Sequence, residues 1–436
     1  MSAYAAENRR KRWFTGEEHI KMKLSIPSNA EKILRILEEN GYEAYVVGGC
    51  VRDSVLGRTP DDWDITTSAK PEQVKELFYR TIDTGLKHGT VTVLMDKEGF
   101  EVTTYRVDGD YEDGRHPKEV LFTSSLEEDL KRRDFTINAM AYNRTTGLVD
   151  LFAGREDLKR GIIRCVGNPM ERFGEDALRI LRAIRFSAQL GFSIEEETGQ
   201  AIRALAPSLA KVSRERVQAE LTKLLLSSSP EKIRLVYDMG AAPYVSQAFC
   251  RAGSGECPIP AAIPAKKHLR WAAFLRTAGP ETASKVLKDL KMDNDTTNRV
   301  RVLTGHLGKA MVPEEARGRQ DEEKTALRRL MCEVGGELFD DLLVLKECLA
   351  PETENREYLQ YLRELAEEIR KAGDCTSLKE LAVTGNDVMQ AGVAPGRDVG
   401  RTLNRLLELV LEDPSRNEKS WLLNHIFDCS SMKKEL

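Results

Sequence analysis

The most informative part of this chain is the sequence Gly48-Gly49-Cys50-Val51-Arg52-Asp53-Ser54-Val55-Leu56-Gly57-Arg58-Thr59-Pro60-Asp61-Asp62-Trp63-Asp64. It follows a short apolar run, Tyr45–Val47, which predicts a buried strand. The two glycines allow a tight turn and a close approach of the backbone to a ligand. Residues 51–56 then predict a helix whose N-terminus would face an anion such as phosphate.

Two carboxylates, Asp62 and Asp64, close this stretch. On a strand, their i, i+2 spacing would put both side chains on one face. Hard oxygen ligands beside a phosphate-binding turn are what Mg²⁺-assisted phosphoryl or nucleotidyl transfer requires. A lone Asp-x-Asp is usually a solvated turn or a helix cap, but the turn and the carboxylates in this order predict a metal-dependent transferase.

Composition limits the other possibilities. The 436 residues suggest about two to four domains. Because the net charge is only −4, any binding of nucleic acid must come from local basic patches. The eight cysteines form no Cys-x-x-Cys pair, which argues against zinc or a disulfide framework and for a reducing cytosol. The chain has no apolar run of transmembrane length and no signal-peptide core, so we expect a cytoplasmic protein.

The first third of the chain mixes strands and helices, and after about residue 165 only helical patterns continue. The expected strands are Tyr45–Val47, Trp63–Thr66, Thr90–Met95, Phe100–Arg106 and Ala139–Tyr142, with helices at Asn29–Glu39 and Pro71–Leu77. The later expected helices include Asp176–Leu190, Glu195–Leu205, Arg214–Leu226 and Arg401–Leu411. Prolines and glycines predict a linker or long loop over Cys250–Lys267. The expected fold class is an α+β head followed by an all-helical remainder.

Glu101 is a candidate third carboxylate. The run Phe100–Arg106 alternates like a half-buried strand, so Glu101 either points inward beside the aspartate pair or is an exposed edge-strand glutamate. The next residues, 108–117, contain two glycines and a proline and predict a mobile loop. That loop is either a lid or lever beside the site or a plain surface connection.

Arg132-Arg133-Asp134-Phe135-Thr136-Ile137-Asn138-Ala139 concentrates charged and amide side chains. Arginines suit the oxygens of a triphosphate because they make bidentate contacts. Asp134 and Asn138 are candidates for hydrogen bonds to ribose hydroxyls. The alternative is an exposed basic helix start with Asp134 as its cap.

The stretch from Glu175 to Arg185 combines an apolar stripe with Asp176 and Arg179 at i, i+3. An intrahelical ion pair is one explanation. The other is base selection: a carboxylate accepts from the exocyclic amino group of C or A, and a guanidinium donates to the adjacent ring nitrogen. G and U present the reverse pattern and would be rejected. Arg216 and Glu220, at i, i+4, either steady this helix or form a surface pair.

With these motifs in view, the chain resembles class II tRNA nucleotidyltransferases, the CCA-adding enzymes, within the polymerase-β-like nucleotidyltransferase superfamily. The resemblance covers most of the sequence, including Val383–Asp387, Asp413-Pro414 and Asn417 in a tail-like stretch. It implies catalytic roles for Asp62, Asp64 and Glu101, with Mg²⁺ held by Asp62 and Asp64. It assigns nucleotide binding to Gly48, Gly49, Arg52, Arg132, Arg133, Asp134, Asn138, Asp176, Arg179, Arg182 and Arg185. It implies that Glu175, Arg216 and Glu220 support the amino-acid template that selects CTP and ATP. It implies that the flexible loop contains Asp113, Gly114, Arg115, His116 and Pro117.

The resemblance implies maturation or repair of the tRNA 3′ end from CTP and ATP without a nucleic-acid template, by a two-Mg²⁺ mechanism. It also implies a head, neck, body and tail. The expected divisions are a loose extension at 1–25, a catalytic head at 26–165, a neck at 166–230, a body at 231–300 and a tRNA-binding tail at 301–436. The sequence leaves the oligomeric state open.

Five other functions compete with CCA addition. A bacterial poly(A) polymerase shares the head motifs, but the loop sequence Gly114–Pro117 and the moderate net charge favour CCA addition. The intact loop motif argues against an enzyme that adds only CC, whereas one that adds only A stays open. A noncatalytic RNA-binding protein with a decayed polymerase head would not be expected to retain Asp62, Asp64, Asp176 and Arg179 together. A dinucleotide-binding oxidoreductase lacks its Gly-x-Gly-x-x-Gly signature here.

Overall fold

The structure of the protein is a computed structural model that describes residues 23–108, 120–253, 259–349 and 355–427. The chain divides into two compact units, and the boundary in the sequence falls between Cys250 and Arg251. Three regions named from the sequence lie outside the described residues: residues 1–22 of the expected N-terminal extension, the loop motif 113–117 and the linker residues 254–258.

The N-terminal unit contains every described strand. These are β1 (Ala44–Val47), β2 (Ile65–Thr67), β3 (Thr81–Gly85), β4 (Thr90–Met95), β5 (Glu98–Thr104), β6 (Arg106–Asp108), β7 (Val120–Phe122), β8 (Met140–Asn143), β9 (Gly147–Asp150), β10 (Ile162–Ile163) and β11 (Ser193–Ile194). Its helices are α1 (Ser28–Glu39), α2 (Gly49–Val55), α3 (Pro71–Leu77), α4 (Leu126–Lys131), α5 (Gly154–Arg160), α6 (Pro169–Glu175), α7 (Leu178–Leu190), α8 (Glu196–Leu205), α9 (Arg214–Leu225), α10 (Arg234–Asp238), α11 (Ala242–Val245) and α12 (Gln247–Ala252), the last of which crosses the boundary.

Seven strands form one mixed sheet in the order β3-β4-β5-β2-β1-β8-β9. β2 and β5 are parallel, with Ile65 opposite Val102, and the other neighbours are antiparallel. Sequence analysis did not predict β3 and β9, which are the two edges of the sheet. Most side chains of β3 are exposed and those of β9 are half-buried, so neither strand shows the alternation that reveals a strand with one buried face.

One core cluster holds α4 against the centre of the sheet. Tyr45, Val47 and Ala141 from β1 and β8 pack with Tyr105 and with Leu130 of α4, and all five side chains are buried. This packing brings the residues that follow α4 to the strands that carry the candidate catalytic aspartates.

The predicted fold class, an α+β head followed by a helical remainder, is confirmed. The expectation that strands stop near residue 165 is wrong at one point, because β11 pairs in parallel with β10. A two-residue strand is too short to leave a periodic signal. The predicted helix Asp176–Leu190 begins two residues late, at Leu178, because Asp176 has an extended backbone with φ −141° and ψ 103°.

The described residues of the C-terminal unit form helices and connecting segments, without strands. Its helices are α13 (Lys267–Leu275), α14 (Pro280–Asp289), α15 (Asn294–Leu307), α16 (Gln320–Val334), α17 (Gly336–Leu349), α18 (Arg356–Ala372), α19 (Gly385–Gln390), α20 (Arg397–Glu412) and α21 (Lys419–Asn424). Across the ranges that the structure describes, no helix is both long and apolar enough to cross a bilayer.

The tail-like motif residues connect α19 with α21 and with the segment before α19. Thr384 and Asp387 form a reciprocal capping box at the start of α19, and Lys419 donates to Asp387 at 2.5 Å. The amide of Asn417 accepts from the backbone of Ala382 and donates to the carbonyl of Glu380. Hydrogen bonds therefore account for the local role of these side chains.

Candidate active site

Asp62 and Asp64 lie immediately before β2 rather than on it. The predicted strand Trp63–Thr66 therefore begins two residues late, at Ile65. Its pairing with β1 ends at the hydrogen bond from Val47 N to Asp64 O, 3.0 Å, because β1 is followed by the Gly48 turn. Asp62 is exposed and Asp64 is half-buried.

Three carboxylates lie near one another at this end of the sheet. Since Ile65 lies opposite Val102 in parallel strands, Glu101 is level with Asp64 on the neighbouring strand, and its side chain is exposed. Burial and then the negative charge of Asp62 raise the pKa of Asp64 to about 6; Glu101 adds to this rise and Arg133 opposes it. We call Asp62, Asp64 and Glu101 the carboxylate cluster.

The glycine turn adopts a backbone that other residues rarely accept. Gly48 has φ 82° and ψ −127°, and α2 begins at the next residue. A Cβ atom on Gly48 would lie 2.9 Å from Nη1 of Arg133, so the guanidinium group of Arg133 packs directly on this turn. The turn and the carboxylate cluster therefore share the same arginine neighbour.

Asp134 is a buried hub of the 132–139 motif. One carboxylate oxygen accepts from Phe135 N at 2.9 Å and from the Asn138 amide at 3.1 Å. The other accepts from Nε of Arg182 at 2.7 Å. Burial alone would raise the pKa of Asp134, but Arg182 and these hydrogen bonds lower it to about 2. The alternative of an exposed helix start is wrong, because α4 ends before this segment and Asp134 is buried.

Arg52 connects α2 to this hub. Its Nη1 donates to the side-chain oxygen of Asn138 at 2.7 Å, and its other nitrogens bind the neighbouring Asp53. Asn138 thus has its amide nitrogen fixed by Asp134 and its oxygen by Arg52. The two contacts determine which way the amide faces.

Asp176 and Arg179 do not form an intrahelical ion pair. Asp176 lies in the break between α6 and α7, where one oxygen accepts from Leu178 N at 3.0 Å and the other from Arg216 Nη2 at 2.6 Å. Arg179 instead pairs with Glu175 and donates to the carbonyl of Arg132 at 3.2 Å. The two side chains are oriented by different neighbours.

Arg216 and Glu220 of α9 also bind α7 and its start rather than each other, so the surface-pair alternative is wrong. Glu220 is buried, and one of its oxygens accepts from Nε of Arg185 at 2.5 Å. Arg182 approaches the other oxygen at 3.9 Å. With the contact from Arg216 to Asp176, α9 supports three charged positions of the 176–185 segment.

Phe186 is a residue of this region that sequence analysis missed. The guanidinium carbons of Arg52, Arg182 and Arg185 lie 5.1, 5.3 and 3.9 Å from the centre of its ring. Phe135 meets the same ring edge-on at 5.7 Å. The sequence could have indicated this residue, because Arg182 and Arg185 lie at i−4 and i−1 from Phe186. The contact with Arg52 could not be predicted, because the two residues are distant in the sequence.

Asp129 was missed as well. It is fully buried on α4, where its i+3 position from Leu126 and its place next to Leu130 put it on the apolar face. A carboxylate on that face was the signal that the sequence offered. Among the three consecutive acidic residues 127–129, burial selects Asp129.

Three family models match successive parts of the chain. The model described as Poly A polymerase head domain matches residues 44–164, the RNA and SrmB-binding site of polymerase A matches 191–249, and tRNA nucleotidyltransferase domain 2 matches 264–426. A CCA-adding enzyme from Lactobacillus helveticus is 38% identical over 413 residues, which cover 92% of this chain and 96% of that enzyme.

The chain belongs to the CCA-adding enzyme family. A CCA-adding enzyme from Leuconostoc mesenteroides is 58% identical, over 200 residues that make up 46% of this chain and half of that enzyme. The crystal structure of the Bacillus stearothermophilus CCA-adding enzyme in complex with CTP is similar with a TM-score of 0.74 and 31% identity, covering 92% of this chain and 97% of that one. The resemblance drawn from the motifs is therefore confirmed.

Proposed function

We propose that the protein transfers CMP, CMP and AMP in turn from CTP and ATP to the 3′ end of tRNA, releasing pyrophosphate at each step. The observation that carries this proposal is the carboxylate cluster beside the half-buried Arg133, at one end of β2 and β5. The near full-length similarity to enzymes named for CCA addition supports the choice of substrate over other nucleotidyl transfers.

The carboxylate cluster fits Mg²⁺. Its ligands are hard oxygens. Burial and then the negative charge of Asp62 raise the pKa of Asp64, and a divalent cation would offset both by stabilising the ionised carboxylate. Among the described residues, no group of three or more His, Cys, Asp or Glu side chains converges to hold a metal by itself. We therefore assign the ion to Asp62 and Asp64, with substrate and water oxygens as further ligands. Bound Mg²⁺ would supply positive charge to the attacking 3′-hydroxyl and to the leaving pyrophosphate.

We assign the other nucleotide contacts to residues whose positions are fixed by packing or by hydrogen bonds within the protein. The backbone at Gly48–Gly49 and the guanidinium group of Arg133 are available to the triphosphate, since both face the turn beside the cluster. Asn138, fixed by Arg52 and Asp134, is the group that we assign to a ribose hydroxyl. Asp134 has both oxygens engaged, so its part is to hold Asn138 and Arg182.

We assign base selection to Asp176 and Arg179. A carboxylate offers about four lone-pair positions, so Asp176 can accept from an exocyclic amino group while Leu178 N and Arg216 hold it. Arg179 would donate to the neighbouring ring nitrogen, and Glu175 fixes its direction. C and A match this pattern, whereas G and U would leave buried polar groups mispaired.

We further propose the head at 26–165, neck at 166–230, body at 231–300 and tail at 301–436, with tRNA held by the helical parts and the protein acting in the cytoplasm. The loop motif 113–117 completes the functional set that the family resemblance implies. Its residues lie outside those that the structure describes.

The experiment uses purified protein, Mg²⁺, CTP and ATP, with tRNA transcripts that end before CCA or after CC, read at nucleotide resolution. Addition of three residues to the first transcript followed by a stop supports the proposal. Addition of A to the CC-ended transcript alone would mean an A-adding enzyme, and a long A ladder would mean a poly(A) polymerase.

A matched pair of variants tests the carboxylate cluster. Asp62→Asn should reduce the rate by at least about 10²–10³-fold, the size of one lost preorganised electrostatic contact. Asp61→Asn removes a charge from the exposed neighbouring residue and should keep nearly the wild-type rate. Equal losses in the two variants would contradict the assignment.

A further inference from the structure

Phe186 is a buried residue of α7 that contacts arginines from two separate helices. The guanidinium carbon of Arg185 lies 3.9 Å from the centre of its ring, that of Arg52 lies at 5.1 Å and that of Arg182 at 5.3 Å. Arg182 and Arg185 belong to α7, whereas Arg52 belongs to α2. Phe186 therefore connects the helix that follows the glycine turn with α7.

The ring of Phe186 stabilises a group of like charges. Its face is electron-rich and attracts cations, and this attraction is strongest where water is excluded. Phe186 is only 5% exposed, so solvent screens its contacts little. Carboxylates balance the three arginines from other directions, and these pairs are Arg52 with Asp53, Arg182 with Asp134 and Arg185 with Glu220. The ring is the one contact named here that all three arginines share.

Two of these arginines determine the orientation of Asn138. Arg52 Nη1 donates to the side-chain oxygen of Asn138 at 2.7 Å. Arg182 Nε donates to Asp134 at 2.7 Å, and Asp134 accepts from the amide nitrogen of Asn138 at 3.1 Å. Each end of the Asn138 amide is therefore linked to the ring of Phe186 through one arginine.

The remaining hydrogen-bonding capacity of Asn138 matches a hydroxyl group. A primary amide has two N–H donors and two acceptor positions on its oxygen. In the ranges that the structure describes, Asp134 takes one donor of this side chain and Arg52 takes one acceptor position. A hydroxyl can accept from the second donor and donate to the second acceptor position. A deoxy sugar would leave these buried groups unsatisfied, which costs free energy.

We propose that Phe186 is a positioning residue for sugar selection: by holding Arg52 and Arg182, its ring fixes the Asn138 amide in the orientation that recognises a ribose hydroxyl of the incoming nucleotide. This inference rests on the proposed function, which assigns Asn138 to that hydroxyl. Because the ring acts through the two arginines, its loss should change the discrimination between sugars more than the affinity for the phosphates.

Binding of CTP, 2′-deoxy-CTP and 3′-deoxy-CTP, measured by calorimetry with Mg²⁺ present, tests this role. The wild type should bind at least one deoxy analogue about 10- to 100-fold more weakly than CTP. Phe186→Leu keeps an apolar side chain but loses the ring face, and it should reduce that ratio about 3- to 10-fold. An unchanged ratio in Phe186→Leu, or equal binding of all three nucleotides by the wild type, would overturn the proposal.

Two further proteins separate positioning from a general loss of stability. Phe249→Leu removes another buried ring of the N-terminal unit, one that stacks on Tyr237 at 5.3 Å, and should lower the Tm while keeping the ratio within about twofold of the wild type. A fluorinated phenylalanine at position 186 keeps the shape of the ring but weakens its negative face, and should reduce the ratio about 2- to 5-fold even if Phe186→Leu does not fold. A wild-type ratio with the fluorinated ring, or an equal reduction in Phe249→Leu, would refute the positioning role.

Calorimetry needs no extension of tRNA, so this inference and the proposed function can fail separately. If the wild type binds CTP more tightly than a deoxy analogue but extends no tRNA, the proposed function fails, and the inference stands when the variants at position 186 lower the ratio. If the wild type extends tRNA but the variants at position 186 keep the wild-type ratio, the inference alone fails.

Discussion

Replacing Asp134 with Asn should destabilise the N-terminal unit in a way that depends on pH. The substitution keeps the shape of the side chain and one acceptor oxygen but removes the charge that faces Arg182. Asp134 has a pKa of about 2 in the folded protein, compared with about 3.9 for an unperturbed aspartate. Because Asp134 is buried, solvent screens this interaction little.

The size of the effect follows from that difference. Each unit of pKa is about 1.4 kcal/mol, so the ionised carboxylate contributes roughly 2–3 kcal/mol to the free energy of unfolding at neutral pH. The folded pKa is below the unfolded one, so the contribution is complete above about pH 5 and is lost as the pH falls toward 2. At pH 3 about half of it should remain.

Urea unfolding of the wild type and Asp134→Asn, followed by circular dichroism from pH 7 down to pH 3, measures the difference directly. Asp61→Asn, at an exposed position, is the control and should stay within about 0.5 kcal/mol of the wild type. A difference for Asp134→Asn that is below about 0.5 kcal/mol at pH 7, or that does not shrink toward pH 3, would refute the electrostatic explanation.

Two further substitutions test the 176–185 segment. Asp176→Ala should reduce the preference for CTP and ATP over GTP and UTP by about 10- to 100-fold, while Mg²⁺-dependent transfer persists. Unchanged selectivity in nucleotide-competition assays would exclude base selection by Asp176. Glu220→Gln leaves the buried Arg185 with a neutral partner and should lower the free energy of unfolding in urea by about 2–4 kcal/mol. Glu215→Gln, at an exposed position on the same helix, is the control and should lower it by less than about 0.5 kcal/mol. Similar losses in the two variants would contradict a buried ion pair.

The sequence correctly predicted features that depend only on residues close together in the chain. The Gly48 turn, the α2 helix after it and the aspartates at 62 and 64 were all readable, because a positive φ and a short ligand spacing depend on neighbours in the chain. The edge strand β3 was not predicted, because hydrogen bonds to β4 define it and its side chains do not alternate between buried and exposed. The break between α6 and α7 was not predicted either, because the helical hydrophobic pattern of residues 176–190 continues through it.

The sequence by itself determined the fold class, the family and which residue types meet at the site, because hydrophobic periodicity and short motifs are encoded over a few turns or strands. Only the tertiary structure decided how the charges are paired. Asp176 binds Arg216, which is 40 residues away, and Glu220 binds Arg185, which is 35 residues away. Such contacts depend on how α7 and α9 pack, and packing brings together residues whose spacing in the sequence does not predict the contact.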